Sequence, residues 1–438
     1  MSSSTAVDVA APAAADAGRT LGFRDTAGLF GSLGVSLLLP VAATFAVLPG
    51  RPLWVTVLAI VVGAAIGSAL LGLGAAAGAR EGAPTMVLLR GLLGRRLSYL
   101  PTVLNVAQCV GWATFEIFII ASAAAQVLHT PKWPFVLVAG VAATLMALRP
   151  LGAVRLLARY AVWASLIAGA YLFVEVLRAH PQPLTGPGGS FWTAVDVVIA
   201  MPVSWFPMVA DYTRYTRGGR AAFAGTALGY GTATVACFVL GVLALSAYGA
   251  GGLDVVGALL AVPLGAVALA VLVVVEVDEA FANVYSTAVS ARNIVERIDR
   301  RVLVVAVGAV ATLLALVVDI VSYEPFLFLI GAVFVPLVGV FAIAYFVLPR
   351  GGWNVSATAP ARPWLLLPWA AGFIAYQLTL PTSFPDAGRQ WTQWWLARQQ
   401  DLGIDPANGF SASLVSLAVA ALLTALMLLP GHTKRGAR

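Results

Sequence analysis

Three carboxylates, Glu276, Asp278 and Glu279, interrupt the stretch Val271–Thr287, which is otherwise apolar enough to span a bilayer. Insertion scales set the cost of an acidic residue at a helix centre at roughly 2.5–3.5 kcal/mol. Groups that costly point to use, as an ion, proton or substrate site enclosed by membrane helices. Glu276, Glu279, Asn283, Thr287 and Ser290 follow three- and four-residue steps and share one helical face, whereas Asp278 projects away from it. Acidic groups this close cannot all be ionised in a low-dielectric site, so at least one is suited to carry a proton. That property fits proton coupling, and equally a site for a cation or a protonated base.

A second polar face lies upstream, where Asn105, Gln108, Trp112 and Glu116 also follow helical steps. An indole beside a carboxylate and two amides can cradle a flat, polar heterocycle: the ring stacks and the polar groups read its edge. For Asn105 and Gln108 the alternative is an interhelical hydrogen-bond stripe. A mid-membrane carboxylate such as Glu116 demands a specific partner. Asp196 and Asp211 are less informative, and Asp211 with Arg214 reads equally as a structural ion pair or a gate.

These faces belong to membrane spans. Hydrophobic residues make up 60% of the 438 positions and charged residues 10%, against about 25% charged in soluble proteins; mean hydropathy is +0.92. Twelve apolar spans are expected, near 25–48, 52–78, 98–127, 132–149, 157–177, 190–213, 221–248, 262–291, 302–320, 325–348, 363–382 and 411–430. With both termini cytoplasmic, 21 of the 26 basic residues fall on the inner side. Only Arg51, Lys132, Arg178, Arg389 and Arg398 are left outside. Residues 1–22, Ala/Ser-rich and without a signal-peptide core, read as a disordered cytoplasmic tail, and 431–438 as a second one.

Spans 1 and 6 read as broken. Gly28, Gly31, Ser32, Gly34 and Ser36 precede Pro40 in the first, and Pro202, Ser204 and Pro207 interrupt the second. Backbone freed at mid-membrane lines a cavity, and two such breaks five spans apart are the mark of an inverted-repeat secondary transporter. Counted from the span ends, Trp112, Ser204 and Glu276 each lie about 14 residues deep and Gly34 about nine, near one level at 1.5 Å per residue.

Other classes fit poorly. The histidines are His129, His180 and His432, and neither a zinc-protease motif nor a nucleophile elbow is present, which disfavours a membrane-embedded enzyme. The net charge of +7 is spread over short loops rather than gathered into a nucleic-acid patch. Cys109 and Cys237 sit inside apolar spans and read as core. A passive channel remains a third option. No cofactor and no protein partner is expected beyond the lipid bilayer itself.

Several segments, in this order, make the chain resemble the nucleobase–cation symporter-1 family, the purine–cytosine permeases, over nearly its whole length. They are Gly78-Ala-Arg80-Glu-Gly-Ala-Pro-Thr-Met86, Gly111-Trp112, Met201-Pro-Val-Ser-Trp-Phe-Pro-Met-Val-Ala-Asp211-Tyr-Thr-Arg214-Tyr215 and Gly331-Ala-Val-Phe-Val-Pro336-Leu337. The span 6 segment, starting at Val195-Asp196, and Tyr285-Ser286 in span 8 look most like the hydroxymethylpyrimidine branch. The resemblance implies an all-α, LeuT-like fold of two inverted five-helix repeats, about 25–178 and 190–348, followed by two extra helices. It implies alternating access by a multi-pass inner-membrane protein around a central site. Trp112 matches the family's ring-stacking tryptophan, and Glu116 stands where some members carry a substrate-binding glutamine. Ser204 takes a substrate position of cytosine permeases, with Trp205 as a second wall; from the two polar faces, Gln108 and Asn283 are added as substrate-binding candidates.

Sodium-coupled members carry two hydroxyl residues where this chain reads Glu279-Ala280, the ion site being completed by span 1 carbonyls around Gly31 and Gly34. Proton coupling through Glu279 with Glu276 or Asp278 is therefore expected over sodium. Ala344 replaces an aspartate common among relatives. The expected substrate is a small aminopyrimidine, hydroxymethylpyrimidine or cytosine; purine, allantoin or hydantoin transport is the alternative.

Overall fold

A computed structural model describes residues 18–148, 153–186, 189–249, 254–291, 294, 298–347, 352–384, 388–404 and 409–429; the side chains of 153–162, 275, 278 and 289 lie outside this set. Helix dominates, and among the described residues the extended pairing is one isolated bridge, Leu21 with Thr216.

Span 1 is a broken pair, α1 (Phe23–Leu33) and α2 (Leu38–Ala46), bent by 73°. Pro40 has no N–H for the Ser36 carbonyl and its ring crowds that position, so the helix restarts just before it, with proline in its first turn. Span 2 is α3 (Leu53–Glu81), followed by a short helix α4 (Thr85–Leu93). Spans 3 to 5 are α5 (Tyr99–Leu128), α6 (Trp133–Leu148) and α7 (Ala153–Arg178). Span 6 breaks as expected into α8 (Phe191–Ser204) and α9 (Val209–Thr213). Pro207 cannot donate to the Val203 carbonyl, which ends α8 one residue later.

Span 7 is α10 (Gly219–Tyr248), and a short α11 (Val255–Ala261) precedes span 8, α12 (Gly265–Ala291). Spans 9 and 10 are α13 (Arg300–Val317) and α14 (Tyr323–Ala342), the latter closing in a π-helical turn over Ile343–Val347. Then come α15 (Leu366–Thr379), α16 (Arg389–Asp401) and α17 (Ala412–Leu428). All twelve expected spans are thus helical, while α4, α11 and α16 are additions. Five helices among the described residues are each long and apolar enough to cross a membrane alone, and the bent pair makes a sixth.

Two groups of spans emerge from the packing. Spans 1, 2, 6 and 7 form one, with α1 and α2 on α10, and α3 against α8 and α10. Spans 3, 4, 8 and 9 form the other, α5 against α12 and α13, α6 against α12 and α13. Exchanging each span for the one five away turns the α1–α10 contact into α3–α8 and the α5–α13 contact into α6–α12. The packing therefore repeats itself, as two copies of a five-span unit require. Close approach sets the spacing: a Cβ on Gly63 of α3 would come within 2.7 Å of Val198 Cβ on α8.

The expected tail reaches less far than residue 22. Residues 1–17 and 430–438 lie outside the described residues, but Leu21 N–H donates to the Tyr215 carbonyl (3.0 Å) and Arg217 N–H to that of Leu21 (2.9 Å). The chain entering α1 is thereby tied to the end of span 6.

Candidate functional site

Where the two groups of spans meet, at the level of both breaks, lies a small cavity. Its wall holds six of the residues singled out from sequence: Trp112 and Glu116 from α5, Ser204 and Trp205 at the end of α8, and Glu279 and Asn283 from α12. Trp112 is held edge-on by Tyr323 and Phe326, with ring centroids 6.0 and 5.3 Å away. Tyr323 and Phe326 open span 10, so this span braces the indole.

Glu116 is 3% exposed. One of its oxygens accepts from Asn283 Nδ2 at 2.7 Å, while the other has no protein partner, and neither has the Trp112 indole N–H. A buried polar atom left unmatched costs about 1–3 kcal/mol. Two such atoms one helical turn apart, on residues of the cavity wall, are what a site awaiting a polar ligand presents. Ser204 shows the opposite: its hydroxyl donates within its own helix to the Met201 carbonyl at 2.6 Å.

Glu276 has a different task. It is fully buried, outside the cavity lining, and its carboxylate accepts from Ser36 Oγ (2.9 Å) and from the backbone N–H of Leu37 (2.6 Å). Those donors stand at the break of span 1, immediately before α2. The first N–H groups of a helix lack intrahelical acceptors and carry partial positive charge. A carboxylate from span 8 therefore caps α2, and the contact bridges the two groups of spans. Glu279, one turn on, faces the cavity instead. The side chain of Asp278 lies outside the described residues.

Gln108 is drawn away from the cavity. Its amide donates to Asn105 Oδ1 (2.9 Å) and to the Ser204 carbonyl (2.7 Å), the carbonyl freed where α8 stops; Asn105 in turn donates to Ser290 Oγ on α12 (3.0 Å). The hydrogen-bond-stripe alternative describes this pair. Gly31 and Gly34 pack α1 against α10, and a Cβ on Gly34 would lie 2.7 Å from Ala233 Cβ. The Gly34 carbonyl accepts a weak bond from Cys237 Sγ at 3.8 Å. At the break itself, Ser36 and Leu37 rather than these glycines meet span 8.

Two aspartates resolve into helix caps. Asp196 accepts from Ser411 Oγ (2.5 Å) and the backbone N–H groups of Ala412 (2.8 Å) and Ser413 (3.1 Å), at the start of α17. Asp211 accepts from Thr85 N–H at the start of α4 (3.0 Å), and the Thr85 hydroxyl accepts from Ala210 N–H (3.0 Å). Among the described residues no ion pair joins Asp211 to Arg214; the carboxylate faces α4. Residues missed from sequence include Tyr230, Met201 and Met208 on the cavity wall. Tyr230 offered one weak signal, a polar aromatic between Gly229 and Gly231 in an apolar span.

Solved structures share this architecture. Mhp1 in an inward-facing conformation aligns with TM-score 0.75 at 18% identity over 94% of this chain and 91% of that one. Mhp1 described as a nucleobase-cation-symport-1 family transporter, closed with bromovinylhydantoin bound, aligns with TM-score 0.73 at 17% identity, covering 96% and 95%. A Na+-coupled sialic acid symporter follows with TM-score 0.61 at 10% identity, covering 94% and 90%. At these identities the likeness shows the fold, which is LeuT-like. A search of curated protein sequences gives no significant match. The sequence profile of permeases for cytosine/purines, uracil, thiamine and allantoin matches residues 15–363, well over half of the chain. The chain is therefore a membrane transporter rather than an enzyme, and it belongs to that permease family.

Proposed function

We propose that the protein imports a small aminopyrimidine, hydroxymethylpyrimidine or cytosine, across the inner membrane by alternating access coupled to protons. The observation that carries the substrate class is the unpartnered, buried oxygen of Glu116 beside Trp112. An aminopyrimidine protonated at a ring nitrogen offers two parallel N–H donors, the pattern a carboxylate accepts as a bidentate, charge-assisted pair. The flat ring then lies against the indole. Uracil lacks the exocyclic amine and fits this edge less well.

Coupling is assigned to the span 8 carboxylates rather than to sodium. Glu276 occupies the contact between spans 1 and 8 with its own charge, and Glu279 brings a second carboxylate to the cavity. Protonating Glu276 turns two charge-assisted bonds into neutral ones, roughly half as strong. The two groups of spans are thereby freed to shift. The same reading puts both termini on the arginine-rich, cytoplasmic side and calls for no cofactor.

Binding of ligands to the purified protein, followed by thermal stabilisation, tests the substrate class. Hydroxymethylpyrimidine and cytosine should stabilise it, and Glu116→Gln should weaken them at least about tenfold, or 1.4 kcal/mol. Trp112→Ala should remove the shift altogether. If hydantoins or purines stabilise the protein and aminopyrimidines do not, the substrate assignment is wrong.

A further inference from the structure

Away from the central cavity, an apolar groove opens between α5, α14 and α15, lined by Leu100, Leu104, Val333, Leu366, Trp369 and Phe373. Its one side-chain hydrogen-bond donor, the Trp369 indole N–H, is spent on the Val333 carbonyl at 2.8 Å. Leu100 and Leu366 stand in the first turns of α5 and α15. Phe373 lies seven residues beyond Leu366, about 10 Å deeper at 1.5 Å per residue. One leaflet's hydrocarbon is about 15 Å thick, so the groove has the reach of most of an acyl chain.

The shallow end is basic. Arg96 precedes Leu100 by four residues, and Arg362 precedes Leu366 by four. Two backbone bonds zip their segments together, Arg95 N–H to the Ala359 carbonyl (3.3 Å) and Arg362 N–H to that of Leu93 (2.9 Å). Arg96 is exposed, Arg362 is half-buried, and Trp364 beside Arg362 is exposed, a residue type enriched between headgroups and hydrocarbon.

We propose that this groove binds an anionic phospholipid of the leaflet on the arginine-rich side. Its phosphate rests by Arg96 and Arg362, and one acyl chain runs along Leu100, Leu104 and Phe373. Charge complementarity selects the headgroup, and the apolar walls take the chain. A basic residue near an anionic leaflet raises occupancy about fivefold, so two acting fully would give about twenty-five-fold over a zwitterionic lipid, and half-burial of Arg362 brings the expectation to about tenfold.

Native mass spectrometry of the full-length protein tests this, using phosphatidylglycerol and phosphatidylcholine with matched chains. The unaltered protein should retain phosphatidylglycerol about tenfold better. Arg96→Gln combined with Arg362→Gln should bring the two lipids level without lowering phosphatidylcholine retention. Ala370→Phe, which fills the groove, should reduce both. Equal retention by the unaltered protein overturns the proposal. So does a phosphatidylglycerol preference that survives the arginine pair, because the lipid is then bound elsewhere. The arginine pair lies at the surface and decides the matter even if Ala370→Phe does not fold.

Discussion

The two broken spans are related by the internal repeat, yet their loose ends are satisfied by opposite chemistry. At the span 1 break the orphaned groups are donors, Ser36 Oγ and Leu37 N–H, and span 8 supplies a carboxylate, Glu276. At the span 6 break the orphaned group is an acceptor, the Ser204 carbonyl, and span 3 supplies a neutral amide, Gln108. Both contacts cross between the same two groups of spans. Only the first contains a group that gains or loses a proton. Under the proposed proton coupling, the first break is the one that switches and the second is the one that holds.

The comparison is broken most severely by Glu276→Leu, which leaves the donors at the start of α2 without a charged acceptor. A loss of about 3 kcal/mol or more is expected, read as thermal unfolding in detergent, together with loss of uptake. A folded variant of unchanged stability would show that the cap is dispensable. Gln108→Leu should cost less, about 1–3 kcal/mol for the buried carbonyl of Ser204. It should lower uptake while leaving its pH profile in place, whereas an altered profile would blur the distinction between the two breaks.

Gln108→Glu sharpens it. The new side chain can donate to the Ser204 carbonyl only while protonated; once ionised it is an acceptor facing an acceptor. Activity should therefore persist at low pH and fall as pH rises, a dependence absent from Gln108→Leu. The smallest effect is expected from Asp196→Asn. Weakening the α17 cap should cost about 1 kcal/mol, with the substrate KM unchanged, because Asp196 serves span 12 and not the cavity.

Much of this arrangement is legible in the sequence. Pro40 and Pro207 mark the breaks because proline removes a donor wherever it falls, whereas α8 runs on through Pro202 to Ser204. Helical spacing puts Trp112 with Glu116, and Glu279 with Asn283, on faces that do meet. What cannot be read is where a side chain ends when its partner is backbone. Glu276 meets the N–H of Leu37, and Gln108 the carbonyl of Ser204; neither partner depends on residue type. The same holds for Asp196 and Asp211, whose carboxylates cap α17 and α4. The helices α4, α11 and α16 are too short to stand out in the sequence as apolar runs of spanning length.

Uptake of labelled aminopyrimidine into proteoliposomes, with proton and sodium gradients imposed separately, tests the central claim most directly when Glu276→Gln is compared with the unaltered protein. An inward proton gradient should drive accumulation by the unaltered protein, and a sodium gradient should not. Glu276→Gln should equilibrate substrate without accumulating it. Accumulation driven by sodium, or proton-driven accumulation that survives Glu276→Gln, would contradict the account.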